Sequence, residues 1–152
     1  MAPVVINCIE KLEYILEGNA QMVTYYESLI DTIKLNEVMP SLAFLCKQKQ
    51  RFSNSALYEY KRLKKLHSNI DFPEVIIKLP LDIDIDDESV DSYLLHLIGV
   101  EQQFIQFYLQ IASKLNPEGA VYYRLLNHID EMKASLSLLE RNVTHQQELL
   151  TA

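Results

Sequence analysis

Four stretches of the chain carry apolar residues at the three- and four-residue spacing of a helix face. In the first, Val5, Ile9, Leu12, Leu16, Ala20, Val23, Tyr26, Ile30 and Ile33 form one stripe, which predicts a helix over about 4–35. Gly18 and Asn19 interrupt it near the middle, where a glycine costs about 1 kcal/mol relative to alanine and so asks for close packing or a kink. The second stripe, Leu42, Leu45, Lys49, Phe52, Ala56, Tyr60, Leu63 and Leu66, predicts a helix over about 38–67 with Pro40 in its first turn. The third runs through Leu94, Leu97, Glu101, Phe104, Ile105, Tyr108, Ile111 and Leu115, for a helix over about 87–115 that stops at NPEG. The fourth, over about 118–148, has Tyr122, Leu125, Ile129, Met132 beside Lys133, Leu136, Leu139 and Val143.

Between the second and third helices lies SNIDFPEVIIKLPLDIDIDDE, residues 68–88, where two prolines and alternating Ile and Asp favour an extended connection. Asp82, Asp84 and Asp86 have the spacing that opens a calcium loop. Asp87 stands where such a loop needs glycine and Tyr93 where it needs glutamate, so N-capping of the third helix by Asp86 or Asp87 is the better reading. Four helices joined by short, long and short links predict an all-α, antiparallel four-helix bundle. It forms a single domain over 1–152, with a long crossover between the second and third helices.

Composition narrows the function classes. A net charge of −7 and a pI near 5.0 argue against a nucleic-acid or anionic-membrane surface. The one basic run, KRLKKLH at 61–67, suits the C-terminal end of a helix. Cys8 and Cys46 belong to no CxxC pair, no apolar run approaches membrane-spanning length, and no leader is legible at the N-terminus. These features lead to the expectation of a reduced, cytoplasmic protein. Phosphate-binding glycine loops, GxSxG and HExxH are absent.

The charges inside the stripes carry the chemistry, because a carboxylate or ammonium taken from water costs several kcal/mol unless it is paired, hydrogen-bonded or metal-bound. Glu101 followed by Phe104 and Tyr108, and more loosely Glu17 with Ala20, resemble the first- and third-helix ligand pattern of the ferritin-like superfamily, most closely its rubrerythrin-like members. That resemblance extends over essentially the whole chain and implies a di-iron or di-manganese centre, with Glu-x-x-His on the second and fourth helices. Here LCKQKQRF and IDEMKASL place Lys49 and Lys133 at the glutamate positions, and Phe52 and Leu136 at the histidine positions. The departure implies loss of the metal site. Without metal, Glu17 and Glu101 would repel each other in the core, and Lys49 and Lys133 would neutralise them, with Tyr26 or Tyr108 satisfying remaining oxygens. The competing reading sends the lysine ammonium groups into water along extended stems and leaves Glu17 outside the stripe.

Three functions follow. The first is a non-catalytic binding, interaction or scaffold protein without cofactor. Its nine tyrosines, among them the pairs Tyr25–Tyr26 and Tyr122–Tyr123, cannot all face inward, so a homodimer through helix faces is expected. The second is a di-metal or mono-metal oxidoreductase with an atypical ligand set from Glu17, Glu101, Asp130 and Glu131, with His128 as a further candidate; His128 and Glu131 form H-x-x-E but are expected to point away from the core. The third is a small-molecule binder using the former metal cavity.

Overall fold

The computed structural model describes residues 2–68, 75–81 and 89–151, with side chains over 3–68, 75–81 and 89–143. Among them are four helices and no strand: α1 (Ala2–Thr32), α2 (Met39–Leu66), α3 (Val90–Ala112) and α4 (Ala120–Thr151). No helix of the described residues is long and apolar enough to cross a membrane. The turn between α1 and α2 is closed by backbone bonds from Val38 and Met39 to the carbonyl of Leu35, and fully buried Val38 anchors it. Pro40 sits in the first turn of α2, where its missing N–H has no helical partner to lose. The cap of α3 is Ser89, whose Oγ accepts from the Ser92 N–H at 3.2 Å, two to three residues after the expected aspartate caps. Asp82, Asp84, Asp86 and Asp87 lie outside the described residues.

The helices pack round a common core, chiefly as α1 on α2 and α3 on α4. Side-chain contacts pair Glu13 with Tyr60 and Val23 with Cys46 between α1 and α2. Between α1 and α3 they pair Asn19 with Tyr108 and Tyr26 with Glu101; between α2 and α4, Gln48 with Ser135 and Ser55 with Arg124. In each set one number rises as the other falls. The described part of the link, 75–81, is tied to the middle of α1, where Gln21 donates to the Ile77 carbonyl at 2.7 Å and accepts from the Leu79 N–H at 2.8 Å.

The inward face of α1 differs from the predicted one. Its buried apolar residues are Ile9, Leu12, Ile15, Met22, Tyr25, Tyr26 and Leu29, with Ile33 just past its end, while Leu16, Val23 and Ile30 are half-buried and Ala20 is exposed. The stripe passes through Gly18 and Asn19, the two residues that looked like interruptions. A Cβ on Gly18 would lie 2.6 Å from the Phe107 ring, so glycine is what lets α1 approach the Phe104–Phe107 stack on α3. On α4 the stripe passes through Met132, not Lys133, and adds Val121, His128 and Ser135.

Candidate functional site

The centre of the core is charged. Lys49 on α2 and Glu101 on α3 are both 0% exposed, and the Lys49 Nζ lies 2.6 Å from Glu101 Oε1. Tyr26 on α1 donates to the other carboxylate oxygen at 2.6 Å. Lys49 also donates to Gln48 Oε1 at 2.7 Å, Gln48 donates to the Ser135 Oγ at 2.9 Å, and Ser135 donates to the Glu131 carbonyl on its own helix. One buried chain of hydrogen bonds therefore ties all four helices. The ammonium sits 5.7 Å and 5.8 Å from the ring centres of Phe52 and Phe104, near enough for cation–π attraction in a site closed to water. Burial pushes the Lys49 ammonium below its ordinary range, against the pull of the adjacent Glu101 charge. Burial and the same carboxylate push the Tyr26 phenol far above its own, so it remains a donor.

A second buried chain runs beside the first. Asn19 on α1 donates to the Ile15 carbonyl at 2.9 Å and to the Tyr108 Oη at 2.8 Å. The Tyr108 hydroxyl, already accepting from Asn19, shares a hydrogen bond of 3.0 Å with His128 Nδ1, and the other ring nitrogen, Nε2, faces Ser55 Oγ at 3.3 Å. Burial, then the Arg124, Arg51 and Lys49 charges, push His128 down to about 4, so the ring is neutral near pH 7. Arg124 bridges Ser55 and Glu59. Burial pushes Glu59 up, but Arg62 and Arg124 outweigh it and hold the carboxyl below its ordinary range.

Of the predicted network, Lys49, Glu101 and Tyr26 come together; Glu17 and Lys133 do not. Glu17 is exposed and bonds to Gln21, and Lys133 is exposed on α4, because the inward faces of both helices are rotated from the predicted ones. Tyr108 serves His128 and Asn19, not Glu101. His128 points inward, stacked on Phe52 at 4.1 Å, contrary to the expected outward placement. Asp130 and Glu131 are exposed, and Glu131 pairs with Arg51. Sequence reasoning missed Asn19, Gln48 and Ser135; the available signal was their position in the inward stripes, which a search for charges passes over.

These residues do not fit a di-iron or di-manganese centre. The ammonium of Lys49 occupies the side of Glu101 that a metal would need, Glu17, Asp130 and Glu131 point outward, and His128 Nδ1 is taken by Tyr108. Among the described residues no three His, Cys, Asp or Glu side chains converge as a ligand set. Comparison of the chain with protein-family models, with curated proteins and with solved structures finds no match.

Proposed function

We propose that this chain is a ferritin-like, rubrerythrin-related antiparallel bundle in which an internal ion pair stands where a di-metal centre would be, and that it acts as a non-catalytic binding or scaffold protein. The observation that carries the reading is the fully buried Lys49–Glu101 pair, bonded to Tyr26 and Gln48 and extended to α4 through Ser135. A positive charge beside a carboxylate at mid-bundle is what a metal would supply, and here the protein supplies it. The opposed numbering of the contacts supports antiparallel helices. The link supports a lengthwise crossover. It leaves α2 at the end where Tyr60 meets Glu13, touches α1 midway at Gln21, and enters α3 at the end where His96 meets Tyr25. The former metal position is filled by the Lys49 ammonium, which disfavours the reading of that position as a ligand cavity. Self-association through helix faces would use Phe44 on α2 and Leu138 on α4, each more than half exposed.

Elemental analysis of protein grown in iron- and manganese-supplemented medium and purified without chelator tests this reading. The expected result is folded protein with transition metal far below one equivalent. Stoichiometric iron or manganese, lost together with helical content on chelation, would overturn it and revive an oxidoreductase.

A further inference from the structure

Outside the His128 chain, residues of α2 and α4 line an open groove of about 460 Å³, among them Arg51, Ser55, Tyr123, Arg124, His128 and Glu131. That volume suits a small organic ligand. Its lining carries two guanidinium groups, Arg51 paired with Glu131 in the lining and Arg124 paired with Glu59 behind it.

The two arginines differ in freedom. Arg124 is held by its bonds to Ser55 and Glu59 and is partly exposed, so its terminal nitrogens are fixed donors. Arg51 spends one nitrogen on both oxygens of Glu131, with side chains 57% and 47% exposed, so the pair is weak and Arg51 can turn onto an incoming anion at little cost. Flat apolar surface is supplied as well by the Tyr123 ring, which stands 56% exposed at the lip.

We propose that this groove binds a small planar aromatic oxyanion, an aryl carboxylate or aryl phosphate, with its charge between Arg51 and Arg124 and its ring against Tyr123. The assignment rests on the reading of the chain as a binding protein, and it shares no residue with the central ion pair. Metal found at the centre would defeat that reading and leave the groove's affinity for its ligand standing, whereas a failed titration would leave the centre as proposed.

The test is an NMR titration of the full chain with benzoate, phenyl phosphate and inorganic phosphate, following the Arg51, Arg124 and His128 side-chain signals. Saturable shifts at millimolar concentration or below are expected with at least one aryl compound, which must bind at least about tenfold tighter than inorganic phosphate. Whichever aryl compound responds identifies the oxyanion. Arg51→Gln, at an exposed position that should not disturb folding, is expected to weaken that binding about tenfold, the scale of one lost charge-assisted hydrogen bond. The proposal is overturned by any of three results: no saturable shift, inorganic phosphate binding as well as the aryl compounds, or undiminished binding in the variant.

Discussion

Lys49 and Arg51 stand two residues apart on α2, and each reaches a glutamate on another helix, yet the two pairs live in different solvents. Lys49–Glu101 is wholly excluded from water, whereas both partners of Arg51–Glu131 are about half exposed at nearly the same separation, 2.6 Å against 2.8 Å. Coulomb attraction at such distances changes several-fold with effective dielectric, and so does the cost of stripping water from each charge. The inner pair can therefore be held only because every group around it is answered, by Tyr26, Gln48 and Ser135. The outer pair needs no such support and is correspondingly free to exchange partners.

The largest expected effect lies in breaking the inner pair on one side. Lys49→Met leaves Glu101 buried without its cation, and unfolding by urea should show a loss of about 3–5 kcal/mol. Adding Glu101→Gln should restore part of it, because an amide can still accept from Tyr26 without carrying charge. A single variant as stable as the wild type would mean that the pair is not held in a low-dielectric core, and the contrast with Arg51 would collapse.

The next effect is acid sensitivity of the second buried chain. His128 has a folded pKa of about 4 against an ordinary 6.5. A depressed pKa means that the unfolded chain takes up a proton that the folded chain refuses. The stability is therefore complete above pH 6.5, is lost as pH falls toward 4, and loses no more from this group below that. At roughly 1.4 kcal/mol per pKa unit the full loss is about 3 kcal/mol. Measured across that window, His128→Gln should be less stable than wild type at pH 7 but should show a shallower dependence on pH. Parallel slopes in the two proteins would assign the acid loss to other groups.

How much of this was legible follows the same division between charge and polarity. Lys49 and Glu101 could be read because a full charge in an apolar stripe has few solutions, and the four helices could be read because their stripes are long. The rotation of α1 could not. Its inward face runs through Gly18 and Asn19, one chosen for close approach to Phe107 and the other for bonds to Ile15 and Tyr108, and neither looks apolar. Once that face was misplaced, Glu17 was carried inward with it. Lys133 failed for a related reason. Met132 beside it satisfies the helical period equally well, and only packing selects between neighbours about 100° apart. His128 was hidden because a neutral imidazole held by a phenol leaves no charge pattern in the sequence.

The smallest expected effect returns to the outer pair. Glu131→Gln removes the carboxylate that both short contacts of Arg51 depend on, but the freed guanidinium has water to turn to, so the loss should be at most about 1 kcal/mol. Salt sharpens the test, since the Debye length falls from roughly 10 Å at 0.1 M to about 3 Å at 1 M, the scale of the exposed contact, while a pair sealed from solvent is screened far less. Raising ionic strength should erase the difference between Glu131→Gln and wild type while leaving the deficit of Lys49→Met in place. If salt instead narrowed both deficits alike, water would have to reach Glu101, and the centre of the bundle would be wetter than its fully buried side chains indicate.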